Sequence, residues 1–220
     1  MLRPLALATL LISAPPAAAC DVALALAIDV SGSVNPDEYA LQMDGLADAL
    51  SDSAVGDALI RTRAAVTVVQ WTGASRQQAV VPWRRIEDDA ALSALVAEVR
   101  AVRRVWRHFS TGIGEALVFT AELFDQVGDC ARRVIDVSGD GRSNEGLAPE
   151  EVKDHLAAQG FQINALAIEG SEPDLTDYFR QSVVAGRGAF VYTALGFEDY
   201  PEKIRRKLLD ELTIQVSRRP

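Results

Sequence analysis

From Val22 to Ile28 every residue is apolar, and Asp29-Val30-Ser31-Gly32-Ser33 follows at once. An unbroken apolar run of this length reads as a strand covered on both faces, as in a parallel sheet whose crossovers are helices. No other feature constrains the chain as much, because such a strand needs a helical layer on each side. Past its end, Asp29, Ser31 and Ser33 stand at alternate positions and can turn one carboxylate and two hydroxyls toward a common point. Hard oxygens with little total charge suit Mg²⁺, which prefers near-octahedral geometry and keeps several waters.

The rest of the chain alternates apolar strands with amphipathic helices, so the predicted class is α/β with helices on both faces of the sheet. Strands are predicted at Val22–Val30, Ala64–Trp71, Gln77–Trp83, Arg132–Ser138, Phe161–Ile168 and Ala189–Thr193. The turn Thr72-Gly73-Ala74-Ser75 joins the second and third as a hairpin, making the third an antiparallel edge on a mostly parallel sheet. A helix is predicted from Pro36, capped by Asn35, with others over Ala90–Val102, Ile113–Val127, Pro149–Gln159, Asp174–Val184 and Glu198–Val216. In the last of these Ile204, Leu208 and Leu212 share one face, and Lys203, Arg205, Arg206 and Lys207 read as the solvated side. No repeat, low-complexity tract or linker interrupts the pattern, so residues 20–220 are predicted as one domain.

Residues 1–19 read as a signal peptide: Arg3 is the positive region, Leu5 to Ile12 the apolar one, and Ala17-Ala18-Ala19 the small-residue cleavage site before Cys20. The mature protein is predicted to be exported, periplasmic or secreted, with no transmembrane segment. Removing a leader that carries Arg3 and no acid moves the formal charge from −9 to −10. That balance argues against nucleic acid as a partner.

Two further segments extend the oxygen cluster. Thr111, in Ser110-Thr111-Gly112-Ile113-Gly114-Glu115, opens a helix, and Asp140, in Val134-Ile135-Asp136-Val137-Ser138-Gly139-Asp140-Gly141, follows an apolar strand. With these in place the chain after residue 20 resembles the von Willebrand factor type A (vWA) domain. Its metal-ion-dependent adhesion site (MIDAS) uses Asp-x-Ser-x-Ser, then a Thr, then an Asp before Gly. The nearest resemblance is to secreted bacterial type A domains of uncharacterised role.

The resemblance implies a Rossmann-like, doubly wound, six-stranded sheet with the metal above the carboxyl ends of its strands. Carried over residue by residue, it makes Asp29, Ser31, Ser33, Thr111 and Asp140 the metal site. The cation implied is divalent, Mg²⁺ first, with Mn²⁺ or Ca²⁺ as alternatives. The function implied is binding of a protein that presents an Asp or Glu carboxylate, rather than catalysis; a hydrolase using metal-bound water is the alternative. Gly139 stands where the family commonly has Thr, which removes a hydroxyl and loosens the loop. The resemblance also puts Cys20 and Cys130 on adjacent parallel strands, which suits a disulfide in an exported chain. Lipidation of Cys20 is the alternative, although Ala17 makes a poor lipidation box. Because the chain ends at Pro220, soon after the last helix, a docking module is expected rather than a mechanical receptor.

Signals for enzymes are thin. His108 precedes the Thr111 segment and His155 lies in a helix, and both read as surface residues; neither a Gly-x-Ser-x-Gly elbow nor His-Glu-x-x-His occurs. The segment from Asp136 opens like a calcium loop, but its twelfth position is Leu147 and not Glu. Asp136 instead needs a buried partner, and Asn164 on the next strand is the predicted one.

Overall fold

The computed structural model describes residues 20–170 and 172–213. The leader assigned to residues 1–19 and the predicted end of the last helix, residues 214–216, lie outside them. In chain order the elements are β1 (Cys20–Asp29), α1 (Pro36–Ser51), α2 (Ser53–Arg61), β2 (Ala65–Trp71), β3 (Gln77–Arg85), α3 (Asp89–Ala101) and α4 (Ile113–Glu122). A 3₁₀ turn (Leu123–Val127) follows, then β4 (Cys130–Gly139), α5 (Pro149–Ala158), β5 (Phe161–Ile168), α6 (Leu175–Ser182), β6 (Val191–Ala194) and α7 (Tyr200–Thr213).

The strands form one sheet in the order β3-β2-β1-β4-β5-β6, parallel except for the β2–β3 hairpin at one edge. Alternation along β1 explains the two layers. Val22, Leu24, Leu26 and Ile28 pack with α1, α2, α3 and α7, whereas Ala23, Ala25 and Ala27 pack with α4, α5 and α6. Small side chains on the second face let α4 lie close to the sheet. Asn35 caps α1 as predicted, in a capping box with Glu38. On the same helix Gly45 meets α7, where an added Cβ would sit 2.9 Å from Pro201 Cγ.

Three expectations are corrected. The sequence pattern missed α2, which Asp52 separates from α1 by ending one helix and capping the next. Asp136 and Asn164 are register partners, but no hydrogen bond joins them. Asp136 forms an ion pair with Lys207 of α7, and Asn164 Nδ2 donates to Glu211 Oε1 at 2.7 Å. Lys207 is therefore not on the solvated side of the last helix: it is fully buried, 2.7 Å from Glu211 Oε1. A buried ammonium is retained only with paired charge around it, and two carboxylates supply that here.

Cys20 and Cys130 are register partners at the starts of β1 and β4, and they form a disulfide. A sulfur held in that bridge is not free to carry a lipid. No helix among the described residues is long and apolar enough to cross a membrane.

Candidate metal centre

β1 and β4 are adjacent, yet the chain leaves β1 toward β2 on one side and β4 toward β5 on the other. Such a reversal of strand order opens a crevice at the carboxyl ends of the strands, where α/β sheets bind ligands. Asp29 ends β1, and Asp140 follows Gly139, the last residue of β4.

The structure brings four of the five candidate side chains into one hydrogen-bonded chain. Ser31 N donates to Asp29 Oδ1 at 2.7 Å, the Ser31 and Ser33 hydroxyls lie 3.1 Å apart, and Ser33 Oγ donates to Asp140 Oδ1 at 2.6 Å. No hydrogen bond joins Thr111 to these four among the described residues; its backbone is tied to Asn144 instead. Its N–H donates to Asn144 Oδ1 at 3.0 Å and its carbonyl accepts from Asn144 N at 2.9 Å. Thr111 is thereby pinned to the loop that follows Asp140, its Oγ1 3.8 Å from where a Cβ on Gly141 would be. Asp29, Ser31, Thr111 and Asp140 are buried, and Ser33 is exposed.

The electrostatics of this cluster favour a cation. Asp29 is fully buried, and its Oδ2 has no hydrogen-bond partner. Burial, then repulsion from Asp140, pushes the Asp29 carboxyl up to about 8. Burial also raises Asp140, against the hydrogen bond from Ser33. Two buried carboxylates that repel each other, one with an unused oxygen, and hydroxyls close by make a hard-oxygen set of low total charge. This set fits a divalent cation such as Mg²⁺.

Gly139 does not loosen the strand end, since it is paired with Ala167 in the sheet. A Cβ there would lie 3.1 Å from Asp29 Oδ2 and 3.4 Å from the Phe179 ring, so glycine leaves room beside the free carboxylate oxygen.

Several supporting residues escaped the sequence reading. The Arg104 guanidinium donates to the carbonyls of Val34, Val30 and Ser31 at 2.7, 2.9 and 2.7 Å, clamping the loop that carries Ser31 and Ser33. Gln42 Nε2 donates to the Asp29 carbonyl at 3.2 Å. Gln70 holds the segment before Thr111, donating to the Arg103 carbonyl and accepting from Val105 N. In sequence Arg104 is one arginine in a basic stretch, and nothing local marks it as a carbonyl clamp. Both histidines are exposed, although the His108 backbone runs beside Gly32 of the loop that carries Ser31 and Ser33. A separate cavity of about 750 Å³ opens at the other end of the sheet, lined by charges of both signs including Asp21, Arg132, Arg187 and Asp210.

A family model described as a protein of unknown function, DUF1194, matches residues 19–216. The chain belongs to that family. No curated protein sequence is significantly similar to this DUF1194 chain. Solved structures share its fold. The vWF domain of the type V pili tip protein Mfa5 from Porphyromonas gingivalis aligns with a TM-score of 0.65 at 9% identity, over 91% of this chain and 98% of that one. The conserved hypothetical protein BatB from Bacteroides thetaiotaomicron aligns at 0.60 with 17% identity, over 88% and 100%. Proximal thread matrix protein 1 from the mussel byssus, solved with a zinc-occupied MIDAS motif, aligns at 0.63 with 17% identity, over 89% and 46%. The DUF1194 chain thus spans under half the length of the mussel protein, and at these identities the likeness is one of fold. That fold is the vWA fold.

Proposed function

We propose that this DUF1194 protein is an exported binding module that holds a divalent cation, Mg²⁺ in the first instance, on Asp29, Ser31, Ser33, Thr111 and Asp140. The bound ion engages an Asp or Glu carboxylate of a partner protein. The observation that carries the reading is the pair of buried carboxylates, Asp29 with an unused oxygen and Asp140 hydrogen-bonded by Ser33. A divalent ion relieves their repulsion. The five side chains include only two carboxylates, so the ion is not over-neutralised and a near-octahedral shell keeps a position open for an incoming acidic group. The zinc-occupied MIDAS of the mussel protein supports a metal at this place in the fold, and the disulfide supports an oxidising compartment.

The test is thermal unfolding of the mature protein in Mg²⁺ or EDTA, alongside pull-down from periplasmic and membrane extract. Wild type gains about 2.7 kcal/mol at a metal concentration one hundred times its Kd, and Asp140→Asn gains none. In EDTA Asp140→Asn melts at or above wild type, because a repelling buried charge is gone. Equal melting of wild type with and without divalent ions defeats the proposal. So does a partner retained equally in EDTA.

A further inference from the structure

We infer that the segment Arg103–Ser110, together with Arg76, is a second contact surface that selects partners carrying further acidic side chains beside the one at the metal. This inference rests on the adhesion reading above and deepens it. The chain is acidic overall, yet residues 103–112 hold Arg103, Arg104, Arg107 and His108 and no acid. Arg104 is consumed inside, on the three carbonyls of the metal loop. Arg107 is exposed and has no ion pair among the described residues, and its charge opposes that of Arg104. Phe109 is 38% exposed, with the Arg76 guanidinium 3.8 Å above its ring. A guanidinium stacked in this way keeps its N–H edge for an in-plane carboxylate.

This segment is fixed to the metal loop. Gly32 N donates to the Phe109 carbonyl at 2.8 Å, and Thr72 Oγ1 donates to the Ser110 carbonyl at 2.7 Å. A Cβ on Gly32 would meet that same Phe109 oxygen at 3.2 Å. Between these anchors His108 adopts φ 61°, a left-handed conformation costly for a side-chain-bearing residue and sustained only by its surroundings. The backbone of Arg107 and Phe109 is therefore held against the loop that carries Ser31 and Ser33. Elsewhere around the site Arg142 is matched by Glu172 at 2.8 Å, and Glu145, whose Oε2 accepts from Ala74 N, stands near Arg76, which leaves the segment 103–110 as the side whose exposed arginines have no ion pair among the described residues. The occupant that fits is an acidic chain segment: one carboxylate at the metal, others along Arg107 and Arg76.

Fluorescence anisotropy with two labelled synthetic peptides tests this. One peptide has a single Asp within Gly-Ser repeats, and the other has three Glu residues following that Asp. In Mg²⁺ the polyacidic peptide binds wild type about tenfold more tightly. Arg107→Ala weakens it by about two- to fivefold, the range of one exposed charge pair, and Arg76→Ala/Arg107→Ala brings it to the level of the single-Asp peptide. The single-Asp peptide is indifferent to these changes, and Arg206→Ala, an equal charge change on α7, alters neither. Equal affinities for the two peptides overturn the inference, as do equal losses from Arg206→Ala or a polyacidic preference that persists in EDTA. If Mg²⁺ raises the melting temperature but neither peptide binds, the inference fails while the metal site stands. If Mg²⁺ has no effect on melting, the adhesion reading fails and this inference falls with it.

Discussion

Lys207→Met lowers the unfolding free energy by about 3–5 kcal/mol, the cost of leaving buried charge without its partner. Lys207 and Glu211 lie one turn apart on α7, and both are buried with Asp136 of β4. Burial pushes the Lys207 ammonium down, but Asp136 and Glu211 outweigh it, so its pKa is raised. Burial, then repulsion from Glu211, brings the Asp136 carboxyl up to about 7 against the pull of Lys207.

The sign of the pH dependence follows from these directions. Between the unfolded carboxyl value of about 4 and the folded value of about 7, the folded state holds the extra proton. This group's contribution to stability falls as pH rises through that window and is level above it. Lys207 contributes fully below its unfolded value of about 10.5, outside the window. Losing the ammonium pushes Asp136 higher still, so Lys207→Met loses more at pH 8 than at pH 5. Urea unfolding in EDTA at the two pH values measures both effects. Asp136→Asn/Lys207→Met, which removes the opposed charges together, recovers part of the loss. A loss below about 1 kcal/mol that is equal at both pH values would show that these groups are not buried against one another.

Breaking the Cys20–Cys130 bridge has the second large effect. The cysteines are separated by 110 residues in sequence, so the bridge restricts a long loop of the unfolded chain. Chain-entropy arguments give about 4.7 kcal/mol for a loop near 100 residues. In the folded state the bridge adds a covalent link to a β1–β4 contact that the sheet already forms, so its removal leaves the register intact. Reduction, or Cys20→Ser/Cys130→Ser, is expected to lower the melting temperature by roughly 10–15 °C. The proposed Mg²⁺-dependent stabilisation is expected to persist, because the cysteines stand at the opposite ends of β1 and β4 from Asp29 and Asp140. Calorimetry with and without reductant reads both quantities, and an unchanged melting temperature on full reduction contradicts the expectation.

Much of the fold was legible because its signals are local. The Val22–Ile28 run announced a strand covered on both faces, the turn at Gly73 announced the hairpin edge, and Asn35-Pro36 announced a helix start that the structure completes with Glu38. The candidate metal site was legible as a whole only through the resemblance, from three separated segments. What assembles them is contact across the sheet, such as Ser33 Oγ with Asp140 Oδ1, 107 residues apart.

The residues that escaped were those whose partners are distant. Asp136 announced a need for a partner but not its identity, and neighbouring-strand reasoning named Asn164. Lys207 and Glu211 stand three and seven residues after Ile204, the spacing of its own helix face, so a signal was present. Four basic residues in five nevertheless have the composition of a solvated face, which masks it. Arg104 carried no such signal, since its three acceptors are backbone carbonyls, which any sequence supplies.

By itself, then, the sequence determined the alternation of strands and helices and the chemistry available at three loops, because periodicity and side-chain type act within a few residues. Only the tertiary structure decided that Asp29 keeps an unused oxygen beside Gly139, that Lys207 lies inside, and that Arg104 clamps the loop carrying Ser31 and Ser33. Burial and long-range hydrogen bonding depend on which surfaces meet, and that is settled only when β1, β4 and α7 pack together.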